Sequence, residues 1–240
     1  MTPAGARYTL RTRDQKLVSG VLGDLDAREV FAAEPRRIFR WHKGQRHYPG
    51  RYWSATMGAF VGHESLLELA ALLLEDFDPR VVRIGSQPFE LIAERAGRAG
   101  SHVPDYMVEY SDSSFAVIDV KPARRLENPE IADALRWAGD IIQSRGWKYR
   151  IVSEPDPILL SNIRFLAGYR RSAQFAERDL RAVEAAAHDA QTLGEVFRRG
   201  GAAVGDRAYA RTIVLHLLWM NVLSCDLNQP LAQHTALETP

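Results

Sequence analysis

The chain of 240 residues sets Lys+Arg 31 against Asp+Glu 30, a formal charge of +1, so affinity for a polyanion has to come from local clustering and not from global charge. A composition of 46% hydrophobic and 25% charged residues supports a real core, as one large domain or a domain with an appendage. Cys225 is the only cysteine, which excludes an intramolecular disulfide and a cysteine-based zinc site and fits a reducing cytoplasm.

Met1 to Lys16 is charged and lacks the apolar centre of a signal peptide, and the apolar run Ile213 to Leu223 is too short for the ~20 residues that span a bilayer. A cytoplasmic protein with no membrane association is expected. Within residues 1–35, Arg7 to Leu10 has strand potential and Ala27 to Ala33 reads as a short helix, the whole resembling a flexible arm. The next stretch carries Arg36, Arg37, Arg40, Lys43, Arg46 and Arg51 with no acid, interleaved with Phe39, Trp41 and Tyr48. Cations neutralise phosphates and rings stack on bases, so this segment is a candidate DNA contact; the competing reading is a solvated loop.

His63 to Phe77 places Leu66, Leu67, Ala70, Ala71, Leu73, Leu74 and Phe77 at helical spacing, with Glu64, Glu68 and Glu75 off that stripe. Asp78-Pro79 stops the helix, and a strand begins at Val81 and runs through Gln87 towards Leu91, with Pro88 marking an edge or bulge. Glu94 to Ser101, rich in Gly and Arg, reads as a flexible connection. His102-Val103-Pro104-Asp105 and Val117-Ile118-Asp119-Val120-Lys121 then read as neighbouring strands of an antiparallel hairpin closed by Ser111 to Ser114. Asn128-Pro129 opens a helix that Gly146 ends, and Trp147 to Val152 is a further strand. The order is helix, strand, strand, strand, helix, strand.

Pro155 and Pro157 mark a boundary. Beyond it Ile158 to Tyr169, Phe175 to Ala190, Thr192 to Arg198 and Asp206 to Leu223 read as helices, a plain helical extension being the first reading and a winged-helix-like module the second. The division by sequence is an N-terminal arm over 1–53, a core over 54–154 and a helical region over 155–240.

Strand alternation puts Asp119 and Lys121 on one side, and the hairpin brings Asp105 to them. Two close carboxylates repel unless a cation lies between them, and their hard oxygens suit Mg²⁺, with Mn²⁺ as substitute. A lysine beside such a site orients or deprotonates water for attack on a phosphodiester. Pro104-Asp105, a gap, then Asp119-x-Lys121 resembles the PD-(D/E)xK nuclease pattern.

With these residues in view the chain resembles the TnsA endonuclease subunit of heteromeric transposases over roughly residues 54–169. The resemblance rests on Leu67-Glu68-Leu69-Ala70 running without a gap through Glu75, Val81, Ile84 and Gln87-Pro88, on Asp105-Tyr106, on Val120-Lys121-Pro122-Ala123, and on Asn162-Ile163-Arg164-Phe165-Leu166. It implies an α/β restriction-endonuclease-like core and a Mg²⁺-dependent endonuclease that cuts double-stranded DNA at transposon ends. It further implies Glu68, Asp105, Asp119 and Lys121 as catalytic residues, and Asp105, Asp119, Val120 and Glu68 as metal-binding residues. A DDE-type, TnsB-like transposase is the implied partner, with a TnsC-like ATPase regulator as a second. The best-known member has glutamine where this chain has Asp119, and its partner-binding tail has no residue-by-residue match here. A stand-alone restriction-like or junction-resolving nuclease and a catalytically idle DNA- or partner-binding protein are the alternatives.

Glu68 carries a competing reading of its own, because Ser65-Leu66-Leu67-Glu68 spells a capping box. A helix beginning near Gly62 would bury Ser65 inside it and free Glu68 for the site. His63 and His102 flank the acids but lack metal-motif spacing, which favours a hydrogen-bonding role for them.

Overall fold

The computed structural model describes residues 5–37 and 48–238. Two compact units divide at the boundary between Glu154 and Pro155. The first begins with β1 (Arg7–Arg11) and β2 (Leu17–Val21), then α1 (Ala27–Ala32), capped by Asp26, whose carboxylate accepts from the Arg28 amide. The hairpin of β3 (Gly50–Ser54) and β4 (Ala59–His63) leads into α2 (Leu66–Phe77) and β5 (Val81–Ser86). There follow β6 (Glu90–Arg95), β7 (Arg98–His102), β8 (Tyr106–Tyr110) and β9 (Phe115–Val120). A short α3 (Ala123–Leu126), the long α4 (Pro129–Ser144) and β10 (Lys148–Val152) complete the unit.

One sheet runs β2-β1-β6-β7 and the other β10-β9-β8-β5. In the second, β10 joins β9 in parallel after the α4 crossover, while β9, β8 and β5 are antiparallel. Fully buried Leu22, Leu25, Phe89 and Leu91 from the first sheet's side pack with Met107 and Val117 of the second and with Ala138, Ile141 and Ile142 of α4. At ~25 cal/mol per Å² of apolar surface removed from water, this shared core is the main force holding the sheets together.

The helix, strand, strand, strand, helix, strand order is present as α2, β5, β8, β9, α4 and β10, with a β6–β7 hairpin inserted. Three sequence expectations are corrected. Residues 5–37 are no flexible arm: β1 pairs with β6 through Arg7–Ile92, Tyr8–Leu91 and Thr9–Glu90, and so sits inside a sheet. The strand from Val81 does not reach Leu91, because Gln87 takes φ +45° and the chain leaves one sheet for the other. Glu94 to Ser101 is not a loose connection but most of a hairpin turning at Ala96 (φ +51°) and Gly97 (φ +75°), the backbone of a two-residue primed turn. Trp137 of α4 fastens it by donating its indole N–H to the Glu94 carbonyl at 2.8 Å.

The second unit comprises α5 (Pro157–Leu166), α6 (Glu177–Ala187), α7 (Leu193–Val204), α8 (Arg207–Trp219) and the short β11 (Ser224–Cys225) and β12 (Leu237–Glu238), which pair antiparallel. Where the sequence reading stopped α7 at Arg198, the helix continues across Gly200 and Gly201, both buried; their missing Cβ atoms admit Val183 and Arg207. It ends at Gly205, whose φ of +76° is the left-handed cap that glycine accommodates. Thr192 bridges Ala236 just before α7. Among the described residues no helix is long and apolar enough to cross a membrane.

Candidate active site

The β8–β9 hairpin builds the site, but its first strand is not the expected His102 to Asp105: His102 ends β7, residues 103–105 lie outside any strand, and β8 begins at Tyr106. Tyr106 pairs with Ile118, and just beyond the end of β8 the Asp105 amide donates to the Ile118 carbonyl at 3.1 Å, which sets Asp105 beside the end of β9. Its Oδ2 then accepts from the Val120 amide at 2.6 Å and from Lys121 Nζ at 3.0 Å. Lys121 Nζ also lies 3.6 Å from Asp119 Oδ1 and donates to the Val120 carbonyl at 3.1 Å. Three oxygens, from Asp105, Asp119 and the Val120 backbone, therefore converge on one positive charge.

Asp119 is fully buried, an unusual place for a carboxylate. Its Oδ2 accepts from the Tyr149 hydroxyl at 2.6 Å and lies 2.7 Å from His102 Nε2, while Oδ1 has no hydrogen-bond donor. Burial alone would raise its pKa, but His102, the Lys121 charge and the Tyr149 hydroxyl together hold it below the usual carboxylate range. Burial raises Asp105 against the lowering effect of Lys121. Burial works to lower Lys121, and the charges of Asp105 and Asp119 outweigh it, so the ammonium is held protonated.

Glu68 is where the structure corrects the sequence. Helix α2 begins at Leu66 and Ser65 is its N-cap, not an interior residue. Ser65 Oγ accepts from the Glu68 amide at 3.1 Å and donates to Glu68 Oε1 at 2.9 Å, while Oε2 accepts from the Glu64 amide at 2.7 Å. The capping box is thus formed, with the carboxylate reaching back to Glu64 and not to the Ser65 amide; such caps contribute ~1 kcal/mol. Glu68 still senses the site: burial first, then the Asp105 charge, push its pKa up to about 7. His63, expected in this helix, instead ends β4 opposite Gly50, and its Nδ1 is buried without a partner.

Among the described residues no three His, Cys, Asp or Glu side chains are placed to hold one ion together. The donor set that fits a divalent cation is narrower than expected: the Asp105 and Asp119 carboxylates with the Val120 carbonyl, Asp119 Oδ1 being buried without a donor. Glu68, both of its oxygens engaged in the cap, is not part of that set in this conformation.

The basic segment divides. Arg36 forms an ion pair with Glu90 at 2.7 Å, and Arg37 lies 3.6 Å from Glu64, so both are partly neutralised. Arg51 is exposed on β3, and Arg40, Lys43 and Arg46 lie outside the described residues. Sequence reasoning favoured a hydrogen-bonding role for His102 without naming its partner, which is Asp119, and did not consider Tyr149, which depends on β10 reaching the end of β9.

A search of curated proteins returned no match. Residues 78–154 match the family model described as TnsA-like endonuclease N terminal, a span narrower than the resemblance read from the sequence. It contains Asp105, Asp119, Val120 and Lys121 and leaves Glu68 outside. The part of the chain that carries this buried acid pair and its lysine is thus similar to TnsA-like endonuclease N-terminal domains.

Proposed function

We propose that the chain is the DNA-cleaving subunit of a heteromeric transposase, hydrolysing phosphodiester bonds at transposon ends with Mg²⁺ or Mn²⁺. The observation that carries the reading is the convergence of Asp105 Oδ2, Asp119 Oδ1 and the Val120 carbonyl on the single cation Lys121 Nζ. Those three oxygens would hold a divalent ion, which would supply Lewis-acid stabilisation of charge on the phosphate oxygens. Asp119, buried and held ionised by His102 and Tyr149, keeps one oxygen fixed and the other free. Lys121, turned from the carboxylates towards substrate, places a protonated donor where it can hydrogen-bond the scissile phosphate or orient the attacking water. Glu68 would join the site only by leaving the helix cap that engages both of its carboxylate oxygens.

In this reading α2, β5, β8, β9, α4 and β10 form a restriction-endonuclease-like core. On the same reading α6, α7 and α8 form a winged-helix-like module, a reading that the β11–β12 pair and the Thr192–Ala236 bridge support. A DDE-type, TnsB-like transposase supplies the complementary strand cut and a TnsC-like ATPase regulates the assembly.

The test is strand cleavage at transposon ends by the chain reconstituted with its genomically adjacent transposase, with and without Mg²⁺. Cleavage that requires Mg²⁺ and is lost in Asp119→Asn and Lys121→Ala supports the reading. Site-specific cutting by the purified chain alone would favour a stand-alone nuclease, and failure to bind a divalent ion or cut under any condition an idle DNA-binding protein.

A further inference from the structure

Gly139 lies buried in the interior of α4, where glycine weakens a helix relative to alanine. The Tyr149 ring accounts for it: a Cβ on Gly139 would stand 2.5 Å from Cδ1 and 2.8 Å from Cε1 of that ring, closer than such atoms can approach. The helix thus gives up a side chain so that the ring can lie against its backbone. The hydroxyl at the far end of the ring then reaches Oδ2 of Asp119 at 2.6 Å.

His102 comes to the same oxygen from the other sheet. It ends β7, and its Nε2 lies 2.7 Å from Asp119 Oδ2. An ionised carboxylate only accepts, so the tautomer with hydrogen on Nε2 donates. Two donors therefore fill Oδ2, while Oδ1 is buried with none and lies 3.6 Å from Lys121 Nζ, the cation that Asp105 Oδ2 and the Val120 carbonyl also contact. A buried acceptor left without a donor is an exception that asks for a cause. A carboxylate free at both oxygens could chelate one ion through the pair, as Ca²⁺ with its six to eight flexible oxygen ligands accepts. Small octahedral cations take single oxygens at fixed directions.

We infer that Tyr149 and His102 are positioning residues that confine Asp119 to metal ligation through Oδ1 alone, and that this confinement makes the site favour Mn²⁺ or Mg²⁺ over Ca²⁺. The inference rests on the metal-dependent reading of Asp105 and Asp119. Both donors act through Asp119, and Gly139 belongs to the same device one contact further out.

The experiment titrates the full chain, without DNA, with Mn²⁺ and separately with Ca²⁺ in a calorimeter. Tyr149→Phe keeps the ring and removes only the donor, and is expected to lower Mn²⁺ affinity about tenfold or more while lowering Ca²⁺ affinity less, so that the Mn²⁺/Ca²⁺ ratio narrows. His102→Leu is expected to do the same, and His102→Gln, which retains an N–H donor, to recover most of the ratio. Gly139→Ala, a change that strengthens an ordinary helix, is expected to narrow the ratio because it displaces the ring. A general loosening of the fold lowers both affinities alike, so an unmoved ratio in Tyr149→Phe and His102→Leu would overturn the proposal while leaving the metal reading intact. Absence of Mn²⁺ binding by the unaltered chain would overturn the metal reading and this proposal with it.

Discussion

The Tyr149 hydroxyl donates to Oδ2 of Asp119 at 2.6 Å, tying β10, at the edge of its sheet, to the buried acid on the strand beside it. Removing a hydrogen bond to a charged group costs about 1.5–3 kcal/mol. Tyr149→Phe is therefore expected to destabilise the chain by about that amount in urea unfolding. The sign with pH follows from Asp119, whose pKa lies below its unfolded value: its contribution is present above the usual carboxylate range and lost as pH falls through the folded pKa. Loss of one donor raises that pKa, so Tyr149→Phe should unfold at a higher pH on acid titration; an unshifted acid midpoint would show that His102 and Lys121 alone hold the charge.

Lys121 balances two buried acids, so Lys121→Met leaves Asp105 and Asp119 facing each other. Breaking a buried pair costs about 3–5 kcal/mol, and the partly exposed lysine places this case at the lower end. On the proposed reading, Mg²⁺ bound to the native state would raise stability by mass action and should raise the melting temperature of Lys121→Met more than that of the unaltered chain. Equal shifts in both proteins would contradict a shared cation position.

Glu68 has the opposite pH signature from Asp119. Its folded pKa of about 7 exceeds the ordinary 4.5, so the native state holds the proton more tightly. Stability is then full below about pH 4.5 and falls as pH rises to about 7, by up to about 3 kcal/mol at 1.36 kcal/mol per unit. Asp105, also raised by burial, adds a trend of the same sign. Glu68→Gln, which still offers an oxygen to the Glu64 amide, should flatten the fall between about pH 4.5 and 7. If Glu68 also serves catalysis, the same variant loses Mg²⁺-dependent cleavage while remaining folded; full cleavage would confine the residue to capping.

Asp76 tests the frame apart from the chemistry. Buried on α2, it accepts from Tyr52 Oη at 2.7 Å, Ser54 Oγ, the Ala55 amide at 3.0 Å and the Thr56 amide at 2.9 Å. Asp76→Ala strands several donors at once and is expected to cost about 3–4 kcal/mol. A change under about 1 kcal/mol in urea unfolding would mean that water replaces the carboxylate freely.

Where the physics is local, the sequence is a good guide. The Ser111–Ser114 turn and the alternation through Val117, Asp119 and Lys121 predict the hairpin and the meeting of acid, acid and lysine, all of which the structure contains. Asn128-Pro129 and Gly146 likewise bound α4 as read, to within a residue or two. The misses are non-local. Ala96-Gly97 is a weak hairpin signal, and only Arg95 opposite Arg98, with Trp137 beneath, makes it one. His63 continues a helical stripe in sequence, but β3 offers it a strand partner in Gly50. Tyr149 is invisible as a site residue until β10, from a distant part of the chain, registers beside Asp119.

The parallel pairing of β9 with β10 orders events in time. The β8–β9 hairpin closes over a few residues and forms early, whereas Tyr149 lies 30 residues beyond Asp119 and arrives only after α4 has folded back. Until then a carboxylate destined for complete burial lacks one of its donors. The late step is thus the one that seals the acid, and Tyr149→Phe is expected to speed unfolding far more than it slows folding, a φ-value near zero measurable by stopped-flow. The acid pair and its lysine are thereby complete only once the fold itself is.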